Sequence, residues 1–122
     1  MIRRVWLWAP VVAQMAVIFA ASSVPNLGEL PGGTPDWVGH GAGYAILGAL
    51  LLRALAGGRR AGVTAAVALW TVLGAALYGV SDEWHQGFVP GRSPSLADLA
   101  FDAAGAALAA GLGWAWARVR VR

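Results

Sequence analysis

Four long apolar stretches, residues 5–24, 38–56, 61–80 and 96–117, leave this chain few ways to fold. Each is close to the ~20 residues that carry a helix across the hydrocarbon of a bilayer. One such stretch is compatible with a buried core helix. Four within 122 residues are not, because too little polar sequence remains to cover them. Only 12% of the residues are charged, against ~25% in an average soluble domain. The expectation is a single all-α domain over residues 1–122, a four-helix transmembrane bundle with helices at roughly 5–24, 38–56, 61–86 and 96–117.

The charges set an orientation. Eight of the nine arginines lie at the N-terminus (Arg3, Arg4), at the second connection (Arg53, Arg59, Arg60) or at the C-terminus (Arg118, Arg120, Arg122). Every acid, both histidines and Arg92 lie at or beside the first and third connections. Cytoplasmic loops collect arginine and lysine, so the N- and C-termini are expected in the cytoplasm, with a polar cluster on the opposite face. The chain is then a multi-pass membrane protein. The isoelectric point near 10.6 does not indicate nucleic acid, because these arginines flank apolar runs and form no basic stripe. Cysteine is absent, which excludes disulfides, thiol catalysis and Cys-ligated zinc. Residues 1–23 imitate a secretory signal, but the apolar run exceeds the usual ~7–15 residues and three more spans follow. An uncleaved first helix is expected.

Several positions stand out along the chain. Gln14, midway through the first span, suits an interhelical hydrogen bond. Residues 25–37 hold three prolines and three glycines and read as an irregular outer connection. Asp36, His40 and Tyr44 are spaced four apart and share one helix face. Gly39, Gly41, Gly43 and Gly48 allow close backbone approach. The third helix is expected to start near Ala61 and to continue past Val80 to Gln86. Tyr78, Asp82 and His85 then form one stripe, with Glu83 and Gln86 beside it. Asp82 and His85 are expected near the water boundary. After the turn-rich segment from Phe88 to Ser95, Ser95 reads as an N-cap with Asp98 at the third helical position. Asp98 and Asp102 precede Gly105, Ala109 and Gly113 on a small-residue seam.

The topology gathers polar groups at one end of the bundle. Asp102 lies six residues inside Leu96, roughly 9 Å at the helical rise. A carboxylate at such depth costs about 2.5–3.5 kcal/mol on insertion scales, so it needs a partner. Arg92, His40 and His85 are the available cations, and Gln86 and Tyr44 the available donors. Glu83, His40, Asp98 and Asp36 are the candidate catalytic groups. Arg92, Gln86, Tyr44, Ser95, Asp102 and His85 are the candidate substrate-binding groups. Arg92 can act as a phosphate fork. A carboxylate with histidine, Glu83 or Asp36 with His40, can act as a general base. Asp36, Glu83, Asp98 and His40 also form an oxygen–imidazole set suited to a divalent metal, although no spacing matches a metal signature. Metal and cofactor stay open. Ser22 and Ser23 read as a helix-end cap.

The run Ser81-Asp82-Glu83-Trp84-His85-Gln86-Gly87-Phe88-Val89-Pro90-Gly91-Arg92, followed by Asp98, Asp102 and Gly105, resembles the signature of the VanZ-like family of small bacterial membrane proteins. Asp36, His40 and Tyr44 match that family's Asp-Lys-x-x-His and following aromatic, and Ser22-Ser23 with Pro25 its Ser-rich end of helix one. The chain departs at Trp37, where the family has Lys, and at Asp102, where Asn is common. The resemblance implies a role at the bacterial cell envelope, with the chain in the cytoplasmic (inner) membrane, and the founding member is linked to teicoplanin resistance. Three roles follow as expectations. The protein can act on a phospholipid or polyprenyl-phosphate, bind a lipid-linked or lipoglycopeptide ligand without reaction, or serve as an assembly partner in a homo- or hetero-oligomer.

Overall fold

A computed structural model describes residues 1–25 and 32–119. Residues 26–31 of the outer connection, and the terminal Arg120 and Arg122, lie outside the described residues. The described chain is all-helical: α1 (Ile2–Ser22), α2 (Asp36–Leu55), α3 (Ala65–Gln86) and α4 (Leu96–Arg118), with one 3-10 turn at Arg60–Gly62. All four α-helices are long and apolar enough to cross a membrane.

The bundle exposes large apolar side chains and buries several polar ones. Leu77 and Leu108 are 72% and 62% exposed, whereas Asp102 and Thr71 are fully buried. Water offers no gain for that arrangement. Lipid does, since it solvates the leucines and leaves polar groups to pair internally. The interior is built from small side chains, Ala75, Ala106 and Ala110, around Tyr44 and Leu47.

The most extensive interface joins α2 to α4, and glycines allow it. A Cβ at Gly48 would stand 2.9 Å from Ala106 Cα, and one at Gly105 would stand 2.2 Å from the Gly41 carbonyl oxygen. Without a hydrophobic force between helices in lipid, such close approach gives the van der Waals contact that holds them. By contrast α1 packs mainly on α2 and only lightly on α3. Gln14 Nε2 donates to the Gly43 carbonyl at 3.1 Å, and Tyr78 Oη donates to the Met15 carbonyl at 2.7 Å.

Two helix starts differ from expectation. The first helix begins at Ile2 and not near residue 5: Arg4 N and Val5 N donate to the Met1 carbonyl at 3.1 and 3.4 Å, and Arg3 is held from this first turn by the Gly57 carbonyl. The third begins at Ala65 and not near Ala61. Residues 60–62 close a 3-10 turn, and Thr64 Oγ1 caps α3 by accepting from Val67 N at 3.1 Å. Its far end runs through Asp82 to Gln86, as the period indicated.

The arginine-rich end is tied together by carbonyls. Arg3 donates to the Gly57 carbonyl, and Arg60 to those of Trp116 and Val119. Arg53 donates to the Trp6 carbonyl at 3.3 Å. Trp6 is four residues before Pro10, which lies inside α1 and has no N–H to give back. Arg53 therefore supplies the donor that the proline lacks. Arg60 and Arg118 also lie over the Trp116 and Trp114 rings, 4.6 and 4.3 Å from the centroids.

Candidate functional site

The opposite end holds a histidine wedged between two helices. Asp36 opens α2, and the next turn brings His40 beside it, with Nε2 3.6 Å from Asp36 Oδ2. The first two turns of α4 bring Asp98 and Asp102 to the same ring. Asp102 Oδ1 is 2.9 Å from His40 Nδ1, and Asp98 Oδ2 is 4.0 Å from Nε2. Every ion pair found among the described residues converges on this imidazole. An ionised carboxylate only accepts, so Nδ1 carries the proton in its bond to Asp102. In a neutral ring Nε2 is then a lone-pair atom, which is the arrangement of a general base oriented by an acid. Side-chain exposure falls from 42% at Asp36 through 23% at Asp98 and 9% at His40 to 0% at Asp102. The cluster thus runs from the rim of the bundle into its interior.

A third wall comes from the end of α3. Gln86 Nε2 donates to Asp82 Oδ2 at 3.2 Å, with Glu83 Oε1 at 3.5 Å. Glu83 Oε2 accepts from the Ser95 backbone N–H at 2.8 Å, and Ser95 Oγ in turn accepts from Asp98 N at 3.2 Å. Ser95 is therefore the N-cap of α4 and the point where α4 is hung from α3. Glu83, His40 and Asp102 each present an atom within 4.8 Å of the others. Tyr44 is buried beside Tyr78, with ring centroids 6.2 Å apart, and its hydroxyl has no partner among the described residues.

Arg92 is placed by a tight turn. Arg92 N donates to the Val89 carbonyl at 3.1 Å, and Gly91 sits at φ 76°. This is a Pro-Gly turn of type II, which needs a positive φ at its third residue. The guanidinium reaches back to α1 and donates to the carbonyls of Ala21 and Val24 at 2.9 and 3.2 Å. It satisfies the open end of that helix and also lines a cavity of about 240 Å³ between α1, α2 and α3. Val17, Ile18 and Ala21 give the cavity an apolar wall, and His40, Asp36, Tyr44, Asp82 and Gln86 a polar one.

Of the residues singled out in sequence, the structure gathers Asp36, His40, Asp98, Asp102, Glu83, Gln86, Tyr44 and Ser95 around one point, with Arg92 at the cavity edge. His85 stands apart. Its Nε2 is 3.0 Å from Ser23 Oγ, and its ring stacks on Phe19 at 4.4 Å. Asp82 departs from the expected water boundary: it is 4% exposed, lines the cavity, and its Oδ1 has no partner among the described residues. The signal was its spacing of four from Gln86 and Tyr78, which turns it inward with them.

Comparison with curated proteins and with solved structures gives no match. A family model described as VanZ/LLP1 matches residues 5–117. That span covers nearly all of the four helices and every residue of the histidine cluster, and the chain belongs to the VanZ/LLP1 family.

Proposed function

We propose that this protein takes a lipid or lipid-linked ligand of the bacterial cell envelope into the cavity beside His40, and that the His40–Asp102 pair performs acid–base work on its headgroup. The observation behind this reading is a single one. A cavity with an apolar wall from α1 ends on a buried, carboxylate-oriented imidazole. Such a shape suits an amphiphile, with its chain against Val17 and Ile18 and its polar end at His40. In this reading His40 moves a proton at Nε2, Asp102 holds the ring, Asp36 and Asp98 face that nitrogen from the rim, and the free N–H groups of Arg92 meet an anionic headgroup. Glu83 holds the start of α4 through Ser95.

The test uses wild type and His40→Ala in native-lipid discs, incubated with an envelope lipid extract and compared by mass spectrometry. A species converted by wild type alone is the expected result. Identical lipid profiles for the two proteins would remove the catalytic reading.

A non-catalytic reading has its own support. Four hydrogen bonds tie segments of the chain together: Gln14 to Gly43, Arg92 to Ala21 and to Val24, and Ser95 N to Glu83. In that case the protein is a binding or assembly module, and it retains a lipid unchanged. The link of the family's founding member to teicoplanin makes a lipoglycopeptide one such ligand, and overexpression should then raise the inhibitory concentration of that drug. The site belongs to the outer leaflet of the cytoplasmic membrane in either reading. A periplasm-dependent reporter fused after Arg122 should stay inactive, and activity there would invert the assignment.

A further inference from the structure

We propose that Asp36, His40 and Asp98 hold a divalent transition-metal ion of the Zn²⁺ or Mn²⁺ class, with Asp102 as the carboxylate behind the histidine. The inference rests on the cavity-side cluster of the proposed function and goes beyond it: with an ion bound, Nε2 is a ligand, and the proton transfer assigned to it belongs to the metal-free protein.

The argument begins with distances. His40 Nε2 faces Asp36 Oδ2 at 3.6 Å and Asp98 Oδ2 at 4.0 Å. Neither separation is a hydrogen bond. Two ligands about 2.1 Å from a shared tetrahedral ion stand roughly 3.4 Å apart. The three atoms lie within 4.8 Å of one another, so a small inward movement of two partly exposed carboxylates makes the coordination face. The opposite nitrogen completes the pattern. Metal-bound histidine usually donates its other N–H to a carboxylate, which fixes the ring and raises its basicity. His40 Nδ1 does this with Asp102 Oδ1 at 2.9 Å.

One observation beyond the spacing indicates a ligand here. The His40 side chain is nine-tenths buried, yet its Nε2 points between two carboxylates with no hydrogen bond among the described residues. The charge balance agrees. Asp36, Asp98 and Asp102 face one imidazole and Glu83 lies close beside it, while two Arg92 N–H groups are engaged by helix carbonyls. Buried like charges are costly in low dielectric, and a divalent ion offsets two of them. His40, Glu83 and Asp102 form a second grouping of suitable size. It is the weaker one, because its histidine nitrogen is already bonded to Asp102 and Glu83 is held by Ser95 N. One imidazole with two carboxylates selects zinc or manganese over magnesium and calcium, which prefer all-oxygen sets. A fourth position on the ion stays open toward the rim, where a phosphate or other anionic headgroup can bind despite the surrounding acids.

The test is metal content and affinity, not turnover. Protein in lipid discs is stripped with chelator, dialysed against Zn²⁺ or Mn²⁺, and assayed by elemental mass spectrometry and thermal shift. Wild type should retain one ion per chain and melt at a higher temperature with it. Asp98→Asn and Asp36→Asn should each weaken binding at least tenfold. Asp102→Asn should weaken it about 10–100-fold. His85→Ala should bind as wild type does. Because His40→Gln can compromise folding, Asp98→Asn at the partly exposed rim is the decisive variant. No stoichiometric ion, loss of the ion in His85→Ala, wild-type affinity in Asp98→Asn, or retention of Mg²⁺ in preference to both ions would each overturn the assignment. Lipid conversion by a protein that retains no ion would leave the proposed function standing and remove this inference. A bound ion without conversion would do the reverse.

Discussion

Gly105→Ala tests whether the α2–α4 seam positions the site. The new methyl would meet three backbone atoms: Gly41 O at 2.2 Å, Gly41 C at 3.0 Å and Ala45 N at 3.1 Å. Backbone atoms cannot rotate aside as a side chain can. The helices must separate by about 1 Å to restore ordinary contact. Gly41 follows His40 in sequence, and Gly105 is three residues beyond Asp102. The same displacement therefore stretches the 2.9 Å His40–Asp102 bond out of hydrogen-bond range. Overpacking of this kind costs about 1–3 kcal/mol. Gly111→Ala is the internal control, since it lies on the same helix and a Cβ there meets nothing within 4 Å. Both variants gain whatever helix propensity alanine brings, so their difference isolates the clash. Unfolding in mixed detergent micelles, followed by helical circular dichroism, should place Gly105→Ala about 1–3 kcal/mol below Gly111→Ala. Equal stability for the two would refute the claim that backbone contact at this seam sets the spacing.

Three further outcomes are expected. Arg53→Ala should lower stability by about 1 kcal/mol by leaving the Trp6 carbonyl without a donor. Adding Pro10→Ala should restore most of it, because the alanine N–H reaches the same oxygen; a thermal double-mutant cycle reads the coupling. Ser95→Ala should cost about 1 kcal/mol through loss of the α4 cap and raise amide exchange at residues 96–99, while the Glu83 bond to the backbone of residue 95 persists. Arg92→Ala should accelerate exchange over the last turn of α1, where Ala21 and Val24 lose their donor, and Arg92→Lys should recover only part of that protection because a lysine lacks the planar fork.

The architecture was legible because lipid imposes a length and a composition on each span, and four spans of that length admit one class of fold. The inward face of α4 was legible for the same kind of reason: glycine and alanine four apart mark close packing whatever the partner. The candidate site was legible as a set of residues, because ionisable groups in an apolar sequence must face one another. Its internal wiring was not. The spacing of Asp36 and His40 puts them on one face, but the pairing of His40 with Asp102 crosses 62 residues. Three cations were open to Asp102, and packing of α2 on α4 selected His40. Arg92 could have reached the acids. The turn at Gly91 instead directs it to the end of α1, which has carbonyls to satisfy. His85 shares a stripe with Asp82, yet a stripe three residues wide spans enough angle for one to face the cavity and the other Phe19.

By itself the sequence determined that this chain is a helical membrane protein of the VanZ/LLP1 family with most of its arginines and its acids at opposite ends, because hydrophobic length and charge placement are local properties. Only the tertiary structure decided that His40 is the centre of the acidic cluster, because which helix faces come together depends on where glycine lets two backbones approach most closely.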